Sequence, residues 1–414
     1  MKKYIGLAMA TTVISGAAFA SIARLEALGE DQYGSWNVSD SRNMFLNAAE
    51  IHNHNDFATF EWGNSSQLLN DEKSPKSQGG IFKKSGDMIY GMYFGADSNT
   101  ASRLRIATWK GLENLGAITA TEFGDFAKAV QNENTLDLFV GGGSSLKWGA
   151  KISYAKANNE QGYDNSANSG MKFDEIKKEG IVVGLGAFQG DNAFYANIGA
   201  KNQMKLTNMT FTSAAATGAL GGQDYEFKGK IGVQLGYVRS LTSDSKAYVE
   251  YQQQGVEEKS LDLAGSGFEK DDWDIQKIKL GWGKIEKIND VFTLFTKAEY
   301  YQEENKNQGF IEGSDNKTER ITATLGFEAA VKEWLALRGS VSNNLIGTHE
   351  DEDDNKKTLD DSVDVKLGAT LAFGDFGIDG LIGNDSNGDG AAGDDNGNIR
   401  TDSLMSRVAM TYKF

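Results

Sequence analysis

The 414-residue chain has no cysteine, one proline (Pro75) and three histidines. Without cysteine there is no disulfide framework and no thiolate metal site. No stretch beyond the first residues approaches the roughly 18 consecutive apolar side chains that a membrane-crossing helix needs. No Pro/Ser-rich linker divides the chain, although a soluble chain of this length would ordinarily split into domains. Basic excess is lacking too. The formal net charge is −16, which argues against nucleic acid as a partner.

What is present begins with Lys2, Lys3, an apolar "IGLAMATTVISG" and the small-x-small Ala18-Phe19-Ala20. This is the pattern of a secretory signal peptide over 1–20. Cleavage after Ala20 would leave 394 of the 414 residues, led by Ser21, and loss of the two lysines would take the charge to −18. A short segment, 21–56, then precedes the first alternating stretch. Leu25–Leu28 runs into Gly29, a C-cap residue, and Asp40 or Ser41 is placed to cap a helix over 42–51. Two roles suit 21–56: a plug within a lumen, or a small helical tuck sealing a barrel base.

From residue 57 the period is two. In "SVDVKLGATLAF", Val363, Val365, Leu367, Ala369, Leu371 and Phe373 oppose Asp364, Lys366, Gly368, Thr370 and Ala372. "SLKWGAKISYA", "YEFKGKIGVQLGY" and "RITATLGFEA" repeat the scheme. Side chains alternate between the faces of a strand, so each segment is two-faced. Connections alternate between short (84–87 and near 141, 189, 242, 287, 331 and 374) and long (near 64–77, 96–134, 158–173, 207–223, 260–271, 304–317, 347–360 and 384–402). Short turns at one end and long loops at the other describe an antiparallel transmembrane β-barrel over 57–414. The expected count is sixteen strands, with fourteen as the alternative; 57–63 and 78–84 are the least regular. Aromatics at strand ends, among them Trp62, Tyr90, Phe94, Trp148, Trp282 and Phe373, suit the two interfacial girdles of such a barrel.

The closing "LMSRVAMTYKF" puts Val408, Met410, Tyr412 and Phe414 on one face. It resembles the C-terminal signal of Gram-negative outer-membrane barrels, which implies recognition by barrel-insertion machinery. A narrower resemblance lies in "ARLEALG", "DSRNMFLNAAEIHNHNDFATFEWG" and "GGIFKKSGDMIYGMYFG". These look like the porin-like, PopA-like major outer-membrane proteins of predatory Bdellovibrio-type bacteria. That resemblance implies a homo-oligomeric ring, pentameric in that group, enclosing membrane lipid and in contact with lipopolysaccharide. The same order is distantly similar to FadL/PorV-type barrels, which have Asn-Pro-Ala where this chain has Asn47-Ala48-Ala49.

The inward parity gives the candidate pore lining. Lys147, Lys151, Lys201, Lys228, Lys230, Lys246, Lys277, Lys279, Lys297, Arg320, Arg338, Lys366, Arg407 and Lys413 outnumber Asp137, Glu226, Glu250, Glu299, Glu328 and Asp364. A basic lumen beneath acidic loops would favour weak anion selectivity, since charge rings set selectivity in pores. "TATEFGDFAKAVQ" in the longest loop suits a helix, either folded inward as a constriction or lying over the mouth. Asp385, Asn387 and Asp389 begin like a calcium loop, but its twelfth position is Asn396 instead of Glu, so a flexible acidic loop is the better reading. His52 and His54 have metal-compatible spacing without a third ligand nearby. No nucleophilic serine motif, phosphate-cradling loop or catalytic carboxylate pair stands out, so neither enzyme activity nor a cofactor is expected. The leading expectation is an outer-membrane porin passing small hydrophilic solutes. The alternatives are a structural lipid-organising barrel and a FadL-like transporter of hydrophobic compounds.

Overall fold

A computed structural model describes residues 21–63, 77–96, 134–159, 163–165, 171–211, 220–261, 268–308, 315–351, 355–359, 363–384 and 407–414. Among these residues sixteen strands cross the barrel. They are β1 (Phe57–Gly63), β2 (Ser77–Ser85), β3 (Met88–Phe94), β4 (Asn134–Gly142), β5 (Lys147–Asn159), β6 (Glu175–Gln189), β7 (Asn192–Phe211) and β8 (Leu220–Gly229 continuing as Gly232–Ser240). Then come β9 (Ser245–Leu261), β10 (Phe268–Lys287), β11 (Phe292–Gln308), β12 (Asn316–Lys332), β13 (Leu335–Glu350), β14 (Val363–Phe373), β15 (Phe376–Asn384) and β16 (Arg407–Lys413). Each pairs antiparallel with the next.

The ring closes where the alternation of the last strand requires it. β16 pairs with β1, Phe57 opposite Lys413 and Trp62 opposite Val408. Closure leaves no sheet edge, so every strand has a backbone partner on both sides without help from water. All seven short turns fall where the sequence places them, and Gly86, Gly190 and Gly374 take the left-handed φ that tight hairpins demand. Both 57–63 and 78–84 are strands, which settles the count at sixteen.

The outer wall is apolar over its middle. Phe60, Ile81, Tyr90, Phe94, Leu138, Trp148, Ile152, Leu185, Phe194, Leu235, Val249, Leu280, Trp282, Leu325, Val341, Phe373, Tyr412 and Phe414 are all exposed. A wall that shows so much apolar surface is built for lipid. No helix of the described residues is long and apolar enough to cross a membrane; the strands do the crossing.

Inside lies the N-terminal segment. Helix α1 (Ile22–Ala27), helix α2 (Asn43–Leu46) and a 3-10 turn (Ala48–His52) are nearly all buried against the inner wall. Ser21 caps α1, its Oγ accepting from the Arg24 N–H at 3.1 Å, and Gly29 follows the helix at φ +72°. The expected helix over 42–51 is interrupted. Asn47 is extended (φ −124°), and its side chain accepts from the Ala49 N–H to start the 3-10 turn afresh. Asp40 does act at the head of this unit, through Arg42 N–H to Oδ1 at 3.0 Å. The expected signal peptide, the longest-loop helix and the Asp385–Asp389 loop lie outside the described residues.

Candidate functional site: a plug and its seat

The plug is held by apolar packing on one side and by buried charge on the other. Met44, Phe45 and Ile51 enter a cluster with Phe57, Phe82, Ile89, Tyr93 and Phe139 from β1 to β4. Phe45 meets Tyr93 and Phe139 edge-on, at 5.0 and 5.4 Å. Leu25, Leu28 and Val38 form a second contact, with Phe295 of β11. Burying each large side chain contributes roughly 1.5–3 kcal/mol.

The charged contacts begin at Arg24. Its guanidinium donates to Asp40 at 3.1 Å within the plug and to Glu328 of β12 at 3.2 Å. Glu328 also accepts from Arg338 at 3.0 Å, and Arg338 reaches Asp379 of β15 at 3.0 Å. Arg407 meets Glu26 at 3.2 Å and donates to Gln32 at 2.6 Å. Arg42 lies over the Phe45 ring and donates to the Tyr93 hydroxyl at 3.1 Å. These groups are almost wholly desolvated, so removing one partner strands the other.

Wall side chains also satisfy plug carbonyls that the interrupted helices leave open. Lys151 donates to the Phe45 carbonyl at 2.6 Å, and Asn197 to that of Leu46 at 2.8 Å. Lys246 approaches the Trp36 and Asn37 carbonyls at 3.4 and 3.3 Å, and Lys297 pairs with Glu30 at 2.9 Å. His52 contacts the Gly142 and Trp148 carbonyls, whereas His54 is buried beside Ser39; the two do not converge on a metal site.

The expected lumen charges therefore have three fates. Lys151, Lys279, Lys297, Arg320, Arg338, Lys366, Arg407, Asp137, Glu250, Glu299, Glu328 and Asp364 do face inward, but most are engaged by the plug or by each other. Lys279 lies 3.7 Å from Glu250, Lys366 2.9 Å from Asp364, and Asp137 accepts from Ser153. Lys147 sits exposed at the turn-side rim, beside the lower of two cavities described below.

Lys201, Lys228, Lys230 and Glu226 face outward instead, which corrects the expectation for them. A register shift opposite Ile181–Val182 inserts one residue in β7, so Asn197 and Asn202, five apart, are both buried. A one-residue insertion flips every side chain beyond it. Lys201 then meets Glu179 at 2.6 Å. Glu226 and Lys228 register with the outward Lys205 and Gln203, and Lys230 pairs with Asp274 at 3.2 Å. Even without these, the cations of the expected lining outnumber its anions, but several of them meet the plug instead of water.

Wall glycines make the plug's seat. A Cβ on Gly149 would overlap the Ala48 carbonyl, and one on Gly186 would overlap the Asn47 side chain. The Ala48 obstacle is backbone and cannot rotate away. Gly149→Val is therefore expected to weaken plug docking by about 1–3 kcal/mol, the usual range for overpacking. Maleimide labelling of a single cysteine replacing buried Ser41, in this cysteine-free chain, should report it as faster plug opening. An unchanged rate would mean the wall shifts to accommodate the side chain.

Among the described residues, two cavities flank the plug. The upper, about 370 Å³, is lined by Glu30, Asp31, Tyr33, Tyr248, Lys279, Lys297 and Arg320 among others. The lower, about 340 Å³, reaches Ser145, Gly190 and Asp191 at the turn end. Trp36 and Leu46 line both, so they stand between them. Trp36 stacks on Tyr248 of β9 with centroids 3.9 Å apart and planes at 21°.

Fold and site together define a plugged transmembrane β-barrel, the architecture of outer-membrane proteins. No family model matches the chain, and no curated protein matches it. Among solved structures it is similar to the toluene transporter TbuX of Ralstonia pickettii, at 12% identity over 97% of this chain and 100% of the other, TM-score 0.40. It is also similar to the toluene transporter TodX of Pseudomonas putida, at 12% identity over 92% and 95%, TM-score 0.36. A third is OmpT of Vibrio cholerae, at 12% identity over 87% and 97%, TM-score 0.34. Similarity of that order says nothing about cargo or mechanism.

Proposed function

We propose that this chain is a gated outer-membrane transporter for small molecules with an apolar face, and not an open sieve for hydrophilic solutes. The observation that carries this reading is the Trp36–Tyr248 stack, with Leu46, at the neck between the two cavities. An open porin works by an unobstructed, water-filled bore, whereas here the inner wall is spent on holding 21–56 in place. The neck offers aromatic faces to a solute, and the charged lining above it would orient a polar end. Passage then requires the plug to shift, so transport is gated by the stability of plug docking.

Planar-bilayer recording and proteoliposome uptake test this. The wild-type barrel should conduct ions poorly while admitting a small aromatic alcohol. Trp36→Ala should raise ion conductance severalfold and blunt the preference for aromatic over sugar-like solutes. A large, steady wild-type conductance that Trp36→Ala leaves unchanged would overturn the reading in favour of simple diffusion.

A further inference from the structure

The seat of the plug contains an unbalanced charge. Starting at Ser21, the connected buried groups among the described residues are three guanidiniums, Arg24, Arg42 and Arg338, and four carboxylates, Asp40, Glu61, Glu328 and Asp379. Beyond Arg42 lie Asp137 and Lys151, both buried, one charge of each sign, which leave the difference unchanged. A surplus of buried negative charge is costly, since a buried ion without a counter-ion loses hydration and gains nothing in return.

Ser21 stands at the centre of the surplus. It has no exposed surface. Its nitrogen lies 3.3 Å from Asp40 Oδ2, and its Oγ donates to Asp379 Oδ2 at 3.0 Å. The next N–H, that of Ile22, donates to Glu61 at 3.0 Å. Three of the four carboxylates thus converge on two successive residues, and the Ser21 nitrogen within reach of Asp40 is the one that cleavage after Ala20 would turn into an α-ammonium.

We propose that Ser21 is the mature N-terminus and that its α-ammonium is the missing counter-ion of this cluster, paired with Asp40, so that proteolytic processing completes the seat of the plug. Hydrolysis of the Ala20–Ser21 peptide bond leaves the carboxylate on the departing segment and a primary amine on Ser21, which is protonated at neutral pH. That amine adds one positive charge where three face four. It also converts a long amide contact into a charge-assisted one. The condition of Asp40 agrees: while Ser21 offers only an amide N–H, burial pushes this carboxyl up to about 7 despite the Arg24 guanidinium beside it. Processing would thereby be read by the fold, since a chain that keeps its leader lacks the charge that locks the plug.

The test uses the intact barrel purified from outer membranes. Intact mass and N-terminal sequencing should give a chain starting at Ser21; a start at any other residue overturns the proposal. The protein is then treated with an amine acylating reagent, folded or unfolded in denaturant, and the N-terminal peptide is followed by mass spectrometry. The folded protein should be acylated at Ser21 at least about tenfold more slowly, the factor that 1.4 kcal/mol of pairing supplies. Equal rates in the two states would overturn it. Asp40→Asn should restore much of the unfolded rate while Asp31→Asn should not, and equal responses would also overturn it. If Asp40→Asn does not fold, the wild-type comparison alone decides. None of this depends on what the barrel transports.

Discussion

Arg24→Ala should open the barrel. The side chain is almost fully buried, at 3% exposure, and joins Asp40 in the plug to Glu328 in the wall. Removing one partner of a buried pair costs about 3–5 kcal/mol where the carboxylate left behind is neither hydrated nor fully compensated. Two features bound the effect. Glu328 keeps Arg338 at 3.0 Å, so the wall stays intact, and the loss falls on the plug side, where Asp40 keeps the Ser21 nitrogen at 3.3 Å and the Arg42 N–H at 3.0 Å but no guanidinium. The expected result is a folded, heat-modifiable barrel in which labelling of a cysteine at position 41 accelerates by roughly two to three orders of magnitude, since 1.4 kcal/mol is tenfold. Arg24→Lys should recover little, because a point charge cannot serve Asp40 and Glu328 with the planar fork of a guanidinium. Arg24→Met combined with Asp40→Asn should recover part of the docking, since no stranded charge remains. If labelling at position 41 is unchanged in Arg24→Ala, the ion pairs are bystanders and the apolar contacts alone hold the plug.

Acidification should loosen the plug through His54. This ring is 6% exposed, and burial, with Arg24 and Lys413 nearby, lowers its pKa to about 3. An undocked plug returns it to the ordinary value near 6.5. Above pH 6.5 the ring is neutral in both states and contributes nothing. Below it the undocked state takes up a proton that the docked state refuses, so docking weakens as pH falls from about 6.5 toward 3. At pH 5 this amounts to about 2 kcal/mol, or some thirtyfold in opening. Asp40 works the other way. With its carboxyl pushed up to about 7, docking gains as pH falls from about 7 toward 4, and that gain shrinks once an α-ammonium stands beside it. The informative quantity is therefore the ratio of opening rates between the His54 protein and His54→Asn at each pH, from which the Asp40 contribution cancels. That ratio should rise about thirtyfold between pH 7.5 and 5. A flat ratio would mean the ring is hydrated while the plug is docked.

Much of this was legible along the chain. Period-two alternation, strict alternation of turn lengths and a closing apolar strand determine a closed barrel with both ends on the short-turn side, because strand alternation is local and needs no partner to be read. The pairing of 57–63 with the last strand follows from the same pattern. One signal of the plug was there to find. Strands β1 to β4 carry apolar residues on both parities, with Phe57, Phe82, Ile89, Tyr93 and Phe139 on the inner face. A water-filled lumen has no use for them. Inner-wall glycines such as Gly149 and Gly186 read equally well as small lumen residues until the backbone they admit is in place.

The remainder was decided only in three dimensions. A single inserted residue in β7 and a break in β8 turn Lys201, Lys228, Lys230 and Glu226 outward, and nothing local marks either irregularity, since the parity of a strand is fixed by its neighbours' register. Likewise the choice between plug and tuck for 21–56 rests on partners hundreds of residues away: Glu328, Arg338, Asp379 and Arg407. The sequence by itself determined a barrel in which lysines, arginines and carboxylates share the inner face. Only the tertiary structure decided that these charges bind a segment of the same chain instead of water, because desolvated ion pairs form where the fold brings their partners within 3 to 4 Å.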